Sequence, residues 1–133
     1  MWLVFLDSLG IDRICHRPRA VVGAHLWKFI TSELAQGRLS LLGMWGEPST
    51  VHVAIIDEAA AEIAVLSLDC PDRDYPSVGM HHPPALRLER TVNDLFGLSA
   101  QGLPDTRAWL DHHHWGVRFP LGDRIDAPSK AAP

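Results

Sequence analysis

The first clear amphipathic segment of the chain lies between residues 24 and 36. Its apolar residues recur at intervals of three, one and four positions, so they share one face of an α-helix. They are Leu26, Phe29, Ile30 and Leu34. Gly37 follows and suits the left-handed conformation that often ends a helix, so we expect the helix to end near Gln36.

A second amphipathic helix is expected over residues 84–96. Its apolar face comprises Ala85, Leu88, Val92, Leu95 and Phe96. Proline suits the first turn of this helix, and Gly97 stands where a residue without a Cβ atom is favoured after the last turn. Burial of five such side chains contributes on the order of 7–14 kcal/mol before conformational entropy is subtracted, so the helix should pack firmly on a sheet.

Between the two helices the pattern changes to that of β-strands. Residues 39–45 and 50–56 flank Gly46-Glu47-Pro48-Ser49, a sequence typical of a β-hairpin turn. Residues 63–69 form a third strand with apolar side chains on both faces, which indicates a position inside the sheet. Residues 20–22 fit a short further strand, and residues 57–62 contain three alanines that fit one helical turn.

The two ends of the chain lack this regularity. The segment from Trp2 to Leu9 is densely apolar and fits a short helix better than a strand. After Gly97, glycines and prolines interrupt every long period, yet the segment is too apolar for a disordered tail. We therefore expect an extended irregular arm over residues 98–122 that wraps its own core or lies on another subunit, followed by a linker or an artificial chain end over residues 123–133.

Length and composition agree with a single folded unit. The chain has 133 residues, of which 47% are hydrophobic and 21% are charged, as is ordinary for a domain with one core. The pattern predicts an α+β domain over residues 1–122. In this two-layer fold, a mixed β-sheet of about four strands is covered by the two helices.

Charge and hydropathy exclude several classes of function. The net charge is −4 and no basic stripe is present, which argues against a nucleic-acid partner. No apolar run approaches the roughly 20 residues that cross a bilayer, so we expect contact with a membrane only through partners. Cys15 and Cys70 are too few for a disulfide framework, and we expect both to be free, buried thiols in a reducing compartment.

A metal site is the main alternative to a structural function. Cys70, His81, His82 and His112 form a partial ligand set, and His112 begins a run of three histidines. The chain has no CxxC pair and no HxxxH spacing, so a small metal-binding protein or metal-dependent enzyme is the less favoured hypothesis. It also lacks a GxSxG nucleophile motif and a glycine-rich nucleotide motif, so no catalytic residue is assigned.

The segment from Glu89 to Gly97 carries the most information. Glu89, Arg90 and Asp94 are expected on the polar side of the second helix. Arg90 and Asp94 are four residues apart, as in a surface ion pair. A second interpretation places these charges against another subunit, where desolvation raises the cost of removing one partner.

Three motifs resemble the thirty-kilodalton subunit of respiratory NADH:quinone oxidoreductase, complex I. They are Tyr75-Pro76-Ser77-Val78, the pair Glu89-Arg90 with Asp94-Leu95-Phe96-Gly97, and Gly102-Leu103-Pro104-Asp105-Thr106-Arg107-Ala108-Trp109-Leu110. Their order and spacing match that family over residues 75–121. Residues 19–69 agree with it only in the order of helix and strands.

Three departures from this pattern favour a particular branch. Leu103 stands where the family has histidine, Thr91 stands where it has an acidic residue, and residues 115–122 replace its basic tail. The stretch from Trp109 to Gly122 resembles more closely the N-terminal domain of the large subunit in formate-hydrogenlyase-type (group 4), membrane-bound nickel–iron hydrogenases.

Both resemblances imply a non-catalytic assembly domain that docks the iron–sulfur and catalytic subunits of a membrane-associated electron-transfer complex. They imply no cofactor in this chain, and iron–sulfur clusters with a quinone site or a nickel–iron centre in partner subunits. The implied location is cytoplasmic, peripheral to the inner membrane. The residues expected at the subunit interface or in the family motif are Glu89, Arg90, Asp94, Phe96, Gly97, Pro104, Asp105, Arg107, Trp109, Leu110, Trp115 and Pro120.

Overall fold

A computed structural model describes residues 19–110 and 115–122 of the chain. In chain order its elements are β1 (Arg19–Val22), α1 (Ala24–Ala35), β2 (Ser40–Glu47), β3 (Thr50–Asp57), β4 (Glu62–Asp69), β5 (Asp74–Pro76), α2 (Leu86–Phe96) and β6 (Ser99–Gln101). A short 3-10 turn, Pro83–Ala85, leads into α2. The predictions for Trp2 to Leu9, Cys15, His112 and residues 123–133 lie outside the described residues.

The main sheet has the strand order β1-β4-β3-β2. The strands β2, β3 and β4 are antiparallel neighbours, and the predicted β2–β3 hairpin is confirmed. Strand β1 pairs in parallel with β4, with Val21 opposite Ser67, so the sheet is mixed. Residues 58–61 form a turn between β3 and β4 and contain no helix. The predicted α+β class is confirmed.

Both helices contribute to one hydrophobic core on one face of this sheet. Alternate residues of β3 and β4 point into it, including Val51, Val53 and Leu66, because successive side chains of a strand face opposite sides. The core side of α1 supplies Trp27, Ile30 and Leu34, and α2 supplies Val92. The helices therefore form the second layer of the fold.

The buried face of α1 differs from the sequence prediction at two positions. Phe29, which the spacing predicts on the buried face, is 47% exposed, whereas Trp27 is 1% exposed. The indole N–H of Trp27 donates a hydrogen bond to the backbone oxygen of Pro76 at 3.0 Å. The stripe that faces the core therefore runs through Trp27, Ile30 and Leu34, because the larger ring also gains a polar partner there.

The arm is irregular in the sequence prediction, but its first residues form a strand. Strand β6 pairs in parallel with β5, with Tyr75 opposite Ala100, and this makes a separate two-stranded sheet. Gly97 enables the reversal between α2 and β6. As predicted, it ends the helix in the left-handed conformation, with φ of 78° and its N–H bound to the oxygen of Asn93 at 2.9 Å.

Candidate docking surface

Glu89 lies in the core and not on the polar side of α2, where the sequence pattern predicts it. The buried stripe runs from Ala85, at the end of the 3-10 turn, through Glu89 to Val92 of α2, and Glu89 is 0% exposed. The spacing of four and three residues is that of an ordinary apolar stripe, so the carboxylate occupies a position normally held by a hydrophobic side chain. The burial of Glu89 could have been predicted from the sequence, because its position belongs to the apolar stripe of the helix.

The Glu89 carboxylate is bound by three donors from the turn that follows β5. The Ser77 hydroxyl and the Gly79 N–H donate to Oε1 at 2.7 and 2.9 Å, and the Val78 N–H donates to Oε2 at 2.8 Å. Gly79 has no side chain at a point where a Cβ atom would lie 2.8 Å from Oε1. The motif Tyr75-Pro76-Ser77-Val78 and Glu89 thus form one unit that fixes this turn onto α2.

Burial and hydrogen bonding act on Glu89 in opposite directions. Burial raises the pKa of the Glu89 carboxyl, while the hydrogen bonds from Val78, Ser77 and Gly79 lower it, and the net shift is upward. Burial and the nearby Glu89 charge also raise the pKa of Tyr75 well above its usual value.

Arg90 connects α2 to the arm. Its Nε donates to the backbone oxygen of Arg107 at 2.6 Å, its Nη2 donates to that of Ala108 at 2.9 Å, and its Nη1 lies 3.3 Å from Asp105 Oδ2. The Arg90 side chain is only 11% exposed. The planar guanidinium presents several donors in a fixed geometry, so one side chain holds three groups of the arm.

Asp94 binds the next residues of the same segment. Its Oδ2 accepts hydrogen bonds from the N–H groups of Trp109 and Leu110 at 2.8 and 2.6 Å. The surface ion pair between Arg90 and Asp94, considered from the sequence, is thus replaced by contacts of both side chains with the arm. Because an arm without regular structure leaves its backbone groups unpaired, these two side chains supply the missing partners.

Asp105 and Arg107 form a local pair within the arm. Asp105 Oδ1 accepts from the backbone N–H and from Nε of Arg107 at 3.1 and 3.0 Å, and Oδ2 accepts from Nη2 at 2.8 Å. The hydrogen bonds from Arg107 hold the pKa of the Asp105 carboxyl well below its usual value. The pair stiffens the turn that presents the Arg107 and Ala108 carbonyl groups to Arg90.

The indole ring of Trp109 lies close to two cations of α2. The guanidinium carbons of Arg87 and Arg90 lie 4.9 and 5.1 Å from its centre, within the range of cation–π attraction. Trp109 stays 38% exposed and the adjacent Leu110 stays 39% exposed. We call the surface formed by Arg87, Arg90, Trp109 and Leu110 the arm patch.

The distal part of the arm returns to the end of α2. The Leu121 N–H donates to the Leu95 oxygen at 2.9 Å. A Cβ atom at Gly97 would lie 3.0 Å from the Phe119 ring, so the absence of a side chain there permits close packing of the arm. Val117 and Leu121 are 46% and 54% exposed, which extends apolar surface along the arm.

The remaining residues expected from the sequence are dispersed around this surface. Phe96, Trp115 and Pro120 are partly buried, and Pro104 is exposed. The sequence pattern did not indicate Ser77, Arg87 or Phe119 as members of the site. The position of Ser77 in the first motif and the i, i+3 spacing of Arg87 and Arg90 were the available signals.

The alternative metal site receives no support from the part of the chain that the structure describes. Over residues 19–110 and 115–122, no three His, Cys, Asp or Glu side chains converge as a metal site would require. Cys70 is 1% exposed, as predicted for a buried thiol. Burial is the main reason that the pKa of the Cys70 thiol is raised to about 11, so this thiol carries its proton at neutral pH.

Among the described residues, no helix has both the length and the hydropathy of a segment that crosses a bilayer.

The sequence is similar to that of a known family: the family model described as "Respiratory-chain NADH dehydrogenase, 30 Kd subunit" matches residues 6–131. A solved structure of Nqo5, described as a trypsin-resistant fragment (1-134), is 21% identical in sequence, with a TM-score of 0.63; the match covers 78% of this chain and 96% of that one. This similarity shows a shared fold. No curated protein sequence matches.

Proposed function

Because the chain belongs to the family of the respiratory-chain NADH dehydrogenase 30 Kd subunit, we propose that it is a non-catalytic assembly domain of an electron-transfer complex. Membership of the family makes the chain a component of an oxidoreductase complex. The finer proposal is that the arm patch docks the iron–sulfur and catalytic subunits of that complex.

The single observation that carries this proposal is the arrangement of the arm patch. Tryptophan and arginine are the residues most enriched where binding energy concentrates in protein interfaces. Here the guanidinium groups of Arg87 and Arg90 lie within cation–π distance of the Trp109 ring, while the residue as a whole stays 38% exposed. Its rotamer is restrained before any partner arrives, so docking costs less side-chain entropy.

The contacts made by the charged residues of the family motif also favour an assembly function. Glu89 is bound by the turn after β5, and Arg90 and Asp94 are bound by the arm. These three charged side chains thus bind other parts of the same chain. They position the arm, and the arm in turn presents Trp109 and Leu110 to the outside.

The proposal extends to the rest of the complex. We place iron–sulfur clusters and a quinone site or nickel–iron centre in the partner subunits, and contact with the inner membrane through those partners on the cytoplasmic side. The departures at Thr91, Leu103 and residues 115–122 favour the group 4 nickel–iron hydrogenase branch. The neighbouring coding regions distinguish the two branches, since only a hydrogenase large subunit carries paired CxxC motifs for nickel.

The test compares two exposed leucines in the assembled complex. Leu110→Ser removes apolar surface from the arm patch, whereas Leu42→Ser changes a 53% exposed leucine on β2 as the matched control. Each variant is expressed with an affinity tag in its natural host, and iron is measured in the purified material. We expect Leu110→Ser to reduce the iron that co-purifies per chain at least about tenfold, and Leu42→Ser to leave it unchanged. Equal iron in both preparations would show that the arm patch is not the docking surface.

A further inference from the structure

A second surface feature lies away from the family motif. A groove of about 410 Å³ separates α1 from the turn that follows β5. One side carries Lys28, Ser32, Ala35 and Gln36, at the spacing of one helix face, and the other side carries Met80 and His81. Its volume lies within the range of binding clefts.

Contacts beneath the groove hold its two sides in fixed positions. The Trp27 indole N–H of α1 donates to the Pro76 oxygen at 3.0 Å. Ser77 donates to the buried Glu89 carboxylate and accepts from the Met80 N–H at 2.9 Å. A groove with anchored sides does not have to be ordered at the moment of binding, so it is ready to accept a ligand.

The chemistry of the lining favours a particular ligand. Lys28 supplies a positive charge, while Ser32, Gln36 and His81 supply hydrogen-bonding groups, and none of the described residues that line the groove carries a carboxylate. Ala35 provides apolar surface, and Met80 provides a flexible thioether that is 47% exposed. The lining therefore complements an apolar side chain that has a carboxylate next to it.

The groove also adjoins the start of the arm. A Cβ atom at Gly102, two residues before Pro104, would lie 2.5 Å from the sulfur of Met80. Met80 therefore packs directly on the arm, and the groove continues the surface that the arm begins. A polypeptide that docks on one is well placed to reach the other.

We infer that this groove binds a short segment of a neighbouring polypeptide of the complex, in which a large apolar side chain is flanked by aspartate or glutamate. The inference rests on the proposed function and deepens it, because it assigns the partner a specific contact outside the arm patch. Lys28 binds the partner carboxylate, and the apolar side chain lies between Ala35 and Met80.

The first experiment identifies the occupant in the purified complex. A photo-crosslinking benzoylphenylalanine replaces Gln36 at the rim of the groove, and Val21, which is 74% exposed on β1, is replaced in the control. Irradiation followed by mass spectrometry is expected to give a crosslink at position 36 to a partner peptide with more acidic than basic residues around a large apolar one. No crosslink, or a crosslink to a basic peptide, to a second copy of this chain or to its own residues 1–18, overturns the inference.

The second experiment tests whether the positive charge of Lys28 is needed to retain the partner. Lys28→Glu is compared with Arg19→Glu, which reverses an exposed charge on β1 as the control. We expect Lys28→Glu to weaken retention of the partner about tenfold and Arg19→Glu to leave it unchanged. If Leu110→Ser disrupts the complex and Lys28→Glu behaves as Arg19→Glu does, only the groove inference fails. If Leu110→Ser has no effect, the docking role of the arm patch fails instead.

Discussion

Arg90 and Asp94 lie one helical turn apart on α2 and bind consecutive parts of the same segment of the arm. Arg90 donates to the backbone oxygens of Arg107 and Ala108, and Asp94 accepts from the N–H groups of Trp109 and Leu110. A cation thus pairs with carbonyl groups and an anion pairs with N–H groups. The helix supplies through side chains the partners that a neighbouring strand would supply to an extended segment.

Loss of the Arg90 guanidinium should release the arm without unfolding the core. In Arg90→Ala the carbonyl groups of Arg107 and Ala108 lose their donors and Trp109 loses one of its two cations, so we expect the free energy of unfolding to fall by about 1–3 kcal/mol. Limited proteolysis after Arg107 should accelerate, and the variant should capture partner subunits less well in a pull-down. Arg87→Ala, which removes only a cation–π contact, is the control for the proteolysis, and equal proteolysis of the two variants would contradict the prediction.

Replacement of the buried carboxylate should destabilise the whole domain. In Glu89→Gln the side-chain NH₂ group faces a backbone N–H of the turn, so one buried donor is left without an acceptor, at a cost of about 1–3 kcal/mol. The free energy of unfolding in urea measures the change. Glu58→Gln, at an exposed residue that accepts a hydrogen bond from Ser40, serves as control and should be neutral. A Glu89→Gln variant as stable as the wild type would refute the anchoring function of this carboxylate.

The raised pKa of Glu89 gives the stability a defined pH dependence. The folded domain binds the Glu89 proton more tightly than the unfolded chain does, because the folded-state pKa is raised from 4.5. Stability contributed by this group is therefore largest below that value and falls as pH rises towards the folded-state pKa. The difference in unfolding free energy between wild type and Glu89→Gln should shrink as pH rises from about 4. Unfolding curves at several pH values test this, and a difference that grows with pH would contradict it.

Alanine substitutions at two glycines distinguish the effect of backbone conformation on stability from the effect of packing. Gly37 and Gly97 both have left-handed φ values, of 80° and 78°. A Cβ atom at Gly37 meets nothing within 4 Å, whereas one at Gly97 meets the Phe119 ring at 3.0 Å. Alanine at Gly37 should cost about 1 kcal/mol of stability, and alanine at Gly97 about 1 kcal/mol more. Thermal unfolding of both variants measures this, and equal losses would mean that the arm does not pack on Gly97.

Cys70 should react slowly with alkylating agents in the folded domain. Its thiol is buried, and burial raises its pKa to about 11, so little thiolate is present at pH 8. In a Cys15→Ser background, iodoacetamide should label Cys70 at least about a hundredfold faster in urea than in buffer. Similar rates in both conditions would show that the thiol is accessible in the folded state.

The four strands of the main sheet and both helices could be predicted from the sequence alone, whereas β5 and β6 could not. The apolar residues on both faces of residues 63–69 predicted β4, the Gly46-Glu47-Pro48-Ser49 sequence predicted the hairpin of β2 and β3, and Gly97 predicted the end of α2. These features depend on residues close together in the chain, where side-chain period and backbone preference decide the conformation. The charged motif from Glu89 to Gly97 could be recognised in the sequence for the same reason.

The packing of the folded domain decides which side chains of these helices and strands are buried and which distant residues they contact. Periodicity predicts that residues share a helix face, but packing decides which face is buried. Trp27 and Phe29 are two residues apart and lie on nearly opposite sides of α1, and only Trp27 points to the core. The burial of Glu89 depends on donors ten to twelve residues earlier in the chain, and the contacts of Asp94 depend on the arm fifteen and sixteen residues later. Only folding brings such groups together, because pairing between distant residues is set by the packing of the whole domain and not by local preference.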